Sequence, residues 1–205
     1  MIGKKEHRRV LNKLAEKFDE HGLHLLLLGS SSVLYRYGSV RRTKDIDVHP
    51  FPIGDYEKFY DGLEKLADEL EGSFNIEIDA SSITFFPEID NKTYTVELID
   101  AGGSHFLTRE VLKDMVDQAD KIGKVYVPSD EHLVVAKADA YLDRNESDPN
   151  KEKFFDDLTD LREKMKEEDI KLDYDEIDRI IKLRPERKHN GLKGIITSQF
   201  SDLYG

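Results

Sequence analysis

Apolar residues in this chain fall into blocks whose period changes along its length. Over residues 4 to 21, Val10, Leu11, Leu14 and Phe18 recur at helical spacing, which predicts an amphipathic helix with one buried stripe. Gly22 ends it. Residues 23 to 28 are all leucine except His24, which predicts a short buried strand. Gly29-Ser30-Ser31-Ser32 reads as a turn, residues 32 to 37 as a possible helix start, and Gly38 to Lys44 as a basic loop. From Asp45 to Pro50 polar and apolar residues alternate, the period of a half-buried strand. Residues 54 to 71 return to helical spacing, with Tyr56, Phe59, Leu63, Leu66 and Leu70 on one face.

Strand-like segments follow at 74 to 79, 82 to 87 and Thr93 to Ile99, with a turn at Asp90-Asn91. Beyond residue 108 the chain is mostly helical, over 108 to 120, 130 to 143, 150 to 166 and 173 to 182. A short strand, Lys124 to Val127, interrupts this part, and residues 184 to 205 follow no clear period. The order predicts an α+β fold with a mixed sheet flanked by helices over residues 1–128, followed by a helical region over 129–205 packed on it.

Composition narrows the chemistry. The 205 residues contain no cysteine, which removes disulfides, thiolate nucleophiles and Cys-ligated zinc. The net charge of −12 opposes nonspecific binding to nucleic acid while leaving room for a local basic groove. The basic start is not followed by an apolar segment of signal-peptide length, and the longest apolar run, Leu25 to Leu28, is far short of a membrane span. A cytoplasmic address with no membrane partner is the expectation. The seven histidines are scattered without zinc spacing.

The candidate chemistry lies between Leu25 and Val48. Asp45 and Asp47 are two apart on a predicted strand and so share one face, where their charges repel unless a cation lies between them. An all-oxygen pair of this kind suits a hard divalent ion such as magnesium. Ile46 and Val48 point the other way, into a core. Gly29 and Ser30 follow a buried strand, where a glycine admits close approach of a ligand and exposed amides with a hydroxyl can receive phosphate oxygens. Arg41, Arg42 and Lys44 add positive charge between the turn and the aspartates. Tyr35 and Tyr37 read as packing residues, and His49 as a neighbour of the aspartates rather than a ligand.

This stretch resembles the nucleotidyltransferase superfamily, whose signature is an apolar strand, Gly-Gly or Gly-Ser, a gap, then Asp-apolar-Asp/Glu. It is most similar to the minimal prokaryotic branch that includes abortive-infection toxin nucleotidyltransferases, in which the second motif reads Arg-x-Thr-x-Asp-apolar-Asp. Arg41, Thr43, Asp45 and Asp47 occupy those places. One departure is the gap of 14 residues between Ser30 and Asp45, slightly longer than usual and consistent with a one-residue loop insertion near Gly38.

The resemblance implies a third carboxylate on a later strand. Glu97 fits the pattern, and Asp100, at the strand end with opposite parity, is the alternative. In the helical part, Lys137-Ala-x-Ala-x-x-x-Arg144 and Lys153-x-x-x-Asp157-Leu-x-x-Leu161 resemble the paired helices of this branch, whose lysine reaches the nucleotide phosphates. Asp157 is also placed to pair with Lys153, four residues before it. The resemblance covers roughly residues 23 to 161.

It implies an enzyme in which Asp45, Asp47 and Glu97 hold two Mg2+ ions and catalyse transfer, while Gly29, Ser30, Arg41, Thr43 and Lys137 bind a nucleoside triphosphate. The acceptor hydroxyl belongs to a tRNA, a protein or a small molecule. It also admits a toxin restrained by an antitoxin protein. A catalytically inactive nucleotide- or RNA-binding protein on the same fold is the alternative. The basic stretch Arg184 to Lys193 reads as a solvated linker.

Overall fold

The computed structural model describes residues 4–21, 23–38, 45–51, 65, 68, 73–76, 82–99, 107–145, 147–149 and 151–205. Helix α1 (Lys4–Glu20) leads into β1 (His24–Leu27), α2 (Gly29–Arg36) and β2 (Asp45–Phe51). Strands β3 (Ser73–Ile76), β4 (Ser82–Phe86), the small pair β5 (Glu88–Ile89) and β6 (Lys92–Thr93), and β7 (Thr95–Ile99) follow. After α3 (Arg109–Asp117) come β8 (Asp120–Ile122), β9 (Val125–Val127) and the helices α4 (Asp130–Leu142), α5 (Lys151–Glu167), α6 (Tyr174–Lys182) and α7 (Glu186–Phe200).

Seven strands form one mixed sheet in the order β3-β4-β7-β2-β1-β9-β8. Its centre places β2 parallel to β7 and antiparallel to β1. The predicted alternation on β2 holds: Ile46 and Val48 are fully buried beside Val96 and Leu98 of β7, beneath Val10, Leu11, Leu14 and Phe18 of α1. Because side chains alternate across a strand, Asp45, Asp47 and Glu97 all stand on the other face.

A second core forms among α4 to α7, with Leu158, Leu161, Met165, Ile180, Ile196 and Phe200 buried. Val33 of α2 and Tyr37, just past its end, belong to this cluster rather than to the sheet's own core. Helix α2 therefore lies between the sheet and the helical part. Among the described residues no helix is long and apolar enough to cross a membrane.

Several local expectations change. The predicted Gly-Ser turn is the first turn of α2, which starts at Gly29 rather than residue 32. Strands β8 and β9 form a hairpin whose first strand, mostly polar and exposed, carries no apolar alternation. Residues 184 to 205 are largely helical, and Arg184 and Lys188 are buried rather than solvated. Apart from Lys65 and Asp68, which are helical, the predicted helix over 54 to 71 lies outside the described residues.

Candidate functional site

The site is assembled where β2, β7, α2, α4 and α5 meet. The register of β2 against β7 sets Asp45 opposite Thr95 and Asp47 opposite Glu97, so two carboxylates on neighbouring strands face the same way. Asp45 is exposed, while Asp47 and Glu97 are half-buried. Burial raises the Asp47 carboxyl from its ordinary value of 3.8 to about 7, and the adjacent Glu97 and Asp45 push in the same direction. Lys137 and Lys153 oppose the shift without cancelling it. The three acids thus form a crowded negative group. Among the described residues no set of three or more acid or histidine side chains is gathered tightly enough to form a ready-made metal cage.

Helix α2 is fastened to the acid-bearing strand by its own serines. Ser31 Oγ donates to the Asp45 carbonyl and accepts from the Asp47 amide, each at 3.3 Å. Ser32 Oγ closes back on the Gly29 carbonyl at 2.7 Å. The Leu28 amide, one residue before the helix, donates to the Asp47 carbonyl at 2.9 Å. No side chain caps the start of α2, so its first-turn amides are presented to whatever approaches there.

Gly29 is required at this junction for two reasons. Its φ of +54° lies in the left-handed region, and a Cβ at this position would stand 3.2 Å from Asp47 Cγ while overlapping its Oδ2.

Ser30 is joined to the helical part. Lys137 Nζ donates to Ser30 Oγ and to Asp157 Oδ2, both at 2.9 Å, and Ser30 Oγ donates to Asp157 Oδ2 at 3.3 Å. Lys137 and Asp157 are almost fully buried. The pair is therefore an enclosed charge pair at the edge of the acid face, and Lys137 holds its ammonium where it also acts on Asp47.

The structure brings together Gly29, Ser30, Asp45, Asp47, Glu97 and Lys137. Arg41, Thr43 and Asp100 lie outside the described residues. Sequence reasoning missed the bridging role of Ser31 and the pairing of Asp157 with Lys137. The Lys137 contact reaches Asp157 from α4, 20 residues earlier, beyond the reach of any spacing along α5. His49 is buried, and its Nδ1 donates to the Ile99 carbonyl at 2.8 Å. Tyr35 and Tyr37 pack inside, where Tyr35 Oη donates to Asn12 Oδ1 at 3.1 Å and Tyr37 Oη to Asp130. Arg144 lies in the turn just beyond α4 rather than on the helix.

Comparison with known proteins agrees with this arrangement. An antigenic nucleotidyltransferase-like protein from Paracoccidioides brasiliensis superposes with a TM-score of 0.59 at 14% identity, over 98% of this chain and 92% of that one. The Megavirus polyadenylate synthase superposes with a TM-score of 0.52 at 10% identity, over 78% of this chain but only 32% of the synthase. At such identities these likenesses speak to the fold alone. No curated protein matches the sequence. A family model described as "Nucleotidyl transferase of unknown function (DUF2204)" matches residues 7–197. With a match of that extent and a mixed sheet of this topology, the chain belongs to that nucleotidyl transferase family.

Proposed function

We propose that Asp45, Asp47 and Glu97 make this chain a divalent-metal-dependent enzyme that moves a nucleoside monophosphate from a nucleoside triphosphate to an acceptor hydroxyl. The observation carrying this reading is the pairing of Asp47 with Glu97 across parallel strands, beside an uncapped helix start and the Ser30–Lys137–Asp157 group. Burial first, and the neighbouring Glu97 and Asp45 after it, push the Asp47 carboxyl upward, and oxygen-only donors of this kind fit Mg2+. Asp45, Asp47 and Glu97 would hold such ions, which would supply Lewis-acid activation of an acceptor hydroxyl and charge neutralisation at the leaving pyrophosphate.

The protein's own groups do the positioning. The first-turn amides of α2 donate to phosphate oxygens, as does the Ser30 hydroxyl once it turns from Asp157, with Gly29 leaving the space clear. Lys137 adds a positive charge beside Ser30, and Asp157 fixes its direction. Glu97, next to Asp47 in register, orients the acceptor side of the site. The acceptor oxygen bonds to the α-phosphorus as the bond to the β-phosphate bridge breaks. Restraint of the activity by an antitoxin protein rests on sequence resemblance alone.

Isothermal titration with each of the four ribonucleoside triphosphates, with magnesium and with EDTA, tests the assignment. Magnesium-dependent binding of at least one nucleotide, abolished in Asp45→Asn, is expected. Equal binding in EDTA, or in Asp45→Asn, would favour an inactive nucleotide binder on the same fold.

A further inference from the structure

Next to the Ser30–Lys137–Asp157 group, the end of α4 and the start of α5 carry rings and cations for which the transfer chemistry has no use. Tyr141 lies one turn beyond Lys137 on α4, and Phe154 lies three residues before Asp157 on α5. At 1.5 Å of rise per residue, these positions lie roughly 4.5–6 Å along the helices from the buried pair. The Tyr141 and Phe155 rings are tilted together with centroids 5.8 Å apart. Arg144 places its guanidinium 4.6 Å from the centre of the Phe154 ring, and Lys153 Nζ lies 6.0 Å from the same ring. Lys151 Nζ lies 5.2 Å from the centre of Tyr141.

Phe155 is 41% exposed, although burying a phenylalanine is ordinarily favourable. Three cations lying over two rings, Arg144 and Lys153 over Phe154 and Lys151 over Tyr141, also stand out in a chain of net charge −12. Acids are present too: Asp148 pairs with Arg144 at 3.4 Å, and Glu152 and Asp156 are exposed on α5. The cations nevertheless lie on the rings. The patch continues into the site, because Lys153 and Phe154 lie within about one helical turn of Asp157, whose carboxylate meets Lys137 and Ser30.

Flat rings interleaved with cations suit a chain that alternates planar bases with phosphates. We propose that this end of the α4–α5 pair is the acceptor platform, and that the acceptor is a single-stranded nucleic acid whose terminal bases stack on Phe155 and Tyr141 while its phosphates meet Arg144, Lys151 and Lys153. This rests on the nucleotidyl-transfer reading and names the substrate class it lacks. The strand's terminal hydroxyl oxygen bonds to the α-phosphorus, the α–β bridging bond breaks, pyrophosphate leaves, and the hydroxyl proton passes to solvent.

The test is fluorescence anisotropy with a short labelled oligoribonucleotide, its deoxy counterpart and a blunt duplex, in EDTA and without nucleotide. Titration of nucleoside triphosphate with magnesium runs alongside. The whole chain should bind single strands and not the duplex. Phe155→Ala should weaken that binding roughly 5- to 100-fold with triphosphate affinity unchanged, and Phe155→Tyr should retain it. Arg144→Gln should flatten the salt dependence. The ribose and deoxyribose arms decide between RNA and DNA.

Unchanged strand binding in Phe155→Ala overturns the platform. So does a parallel loss of triphosphate affinity, which would make the rings part of the nucleotide pocket. Transfer of labelled nucleotide to a protein in place of the strand also overturns it. Ring-dependent strand binding in a protein that binds no triphosphate would instead retain the platform and remove the transfer reading.

Discussion

Replacing Asp47 by asparagine keeps the shape of the side chain and removes its charge, so the variant isolates the electrostatic cost of the acid group. In the unfolded chain this carboxyl ionises near its ordinary 3.8, whereas in the fold burial, Glu97 and Asp45 hold its proton until about 7. Below 3.8 both states are protonated and the group makes no difference. Between the two values the unfolded chain releases a proton that the native protein keeps, so stability falls as pH rises. Above about 7 the loss is complete.

A shift from 3.8 to about 7 corresponds to about 4 kcal/mol at 1.36 kcal/mol per unit. Asp47 is only half-buried, and solvent screening reduces the figure to roughly 2–4 kcal/mol. Urea unfolding in EDTA at pH 5, 6.5 and 8 should therefore show Asp47→Asn gaining on the wild type as pH rises, by about two thirds of that amount, because the rest accrues between 3.8 and pH 5. Magnesium at pH 8 should close the gap by stabilising the wild type alone. Turnover should be lost throughout. A stability difference that stays constant with pH would refute the claim that these acids share an uncompensated face.

Four further outcomes follow from particular contacts. Glu97→Gln removes the charge beside Asp47, so the pH dependence of stability should flatten and turnover should fall as far as in Asp45→Asn, read by nucleotide incorporation. Gly29→Ala sets a methyl against Asp47 and forces a left-handed alanine, so denaturant melts should show a loss of about 1–3 kcal/mol and titration should show triphosphate affinity lost. Lys137→Met leaves Asp157 buried without its ammonium, a cost of about 3–5 kcal/mol that Lys137→Met/Asp157→Leu should largely recover without recovering transfer. Asp139→Asn strips the carboxylate from the buried Arg184 and Lys188, so thermal unfolding should come earlier by about 2–4 kcal/mol and triphosphate affinity should drop in protein that remains folded.

The parts legible in the sequence were those written in a local period. The alternation Asp45-Ile46-Asp47-Val48 specifies a strand with two acids on one face, and the structure gives that strand at the sheet centre. The stripe on α1 and the leucine run of β1 were equally direct. Register was not legible: nothing in the composition of Thr95 to Ile99 says that Glu97 rather than a neighbour falls opposite Asp47. The start of α2 was misplaced because serines score as turn formers, whereas Ser31 and Ser32 here satisfy backbone groups around the helix start. The basic stretch around Lys188 was misread for a related reason. Charge predicts exposure unless a partner is available, and Asp139 and Asp143 supply partners from 49 and 45 residues earlier.

Those distant partners explain how α4 can hold the Lys137 ammonium in one direction. Lys137 and Asp139 are two residues apart, which at 3.6 residues per turn places them about 200° apart around the helix. On one side Lys137 reaches Ser30 and Asp157, and on the other Asp139 meets Lys188 and Arg184. Leu133, Val134, Val135 and Ala138 pack into the helical core, and apolar contacts are less directional under a small rotation of the helix. Ion pairs on opposite sides tolerate it less, because turning the helix lengthens both at once. Buried pairs are poor sources of stability when compared with well-packed apolar groups. Their value in α4 is directional: they hold the Lys137 ammonium beside Ser30, at the edge of the acid face where the phosphates of a nucleotide are proposed to lie.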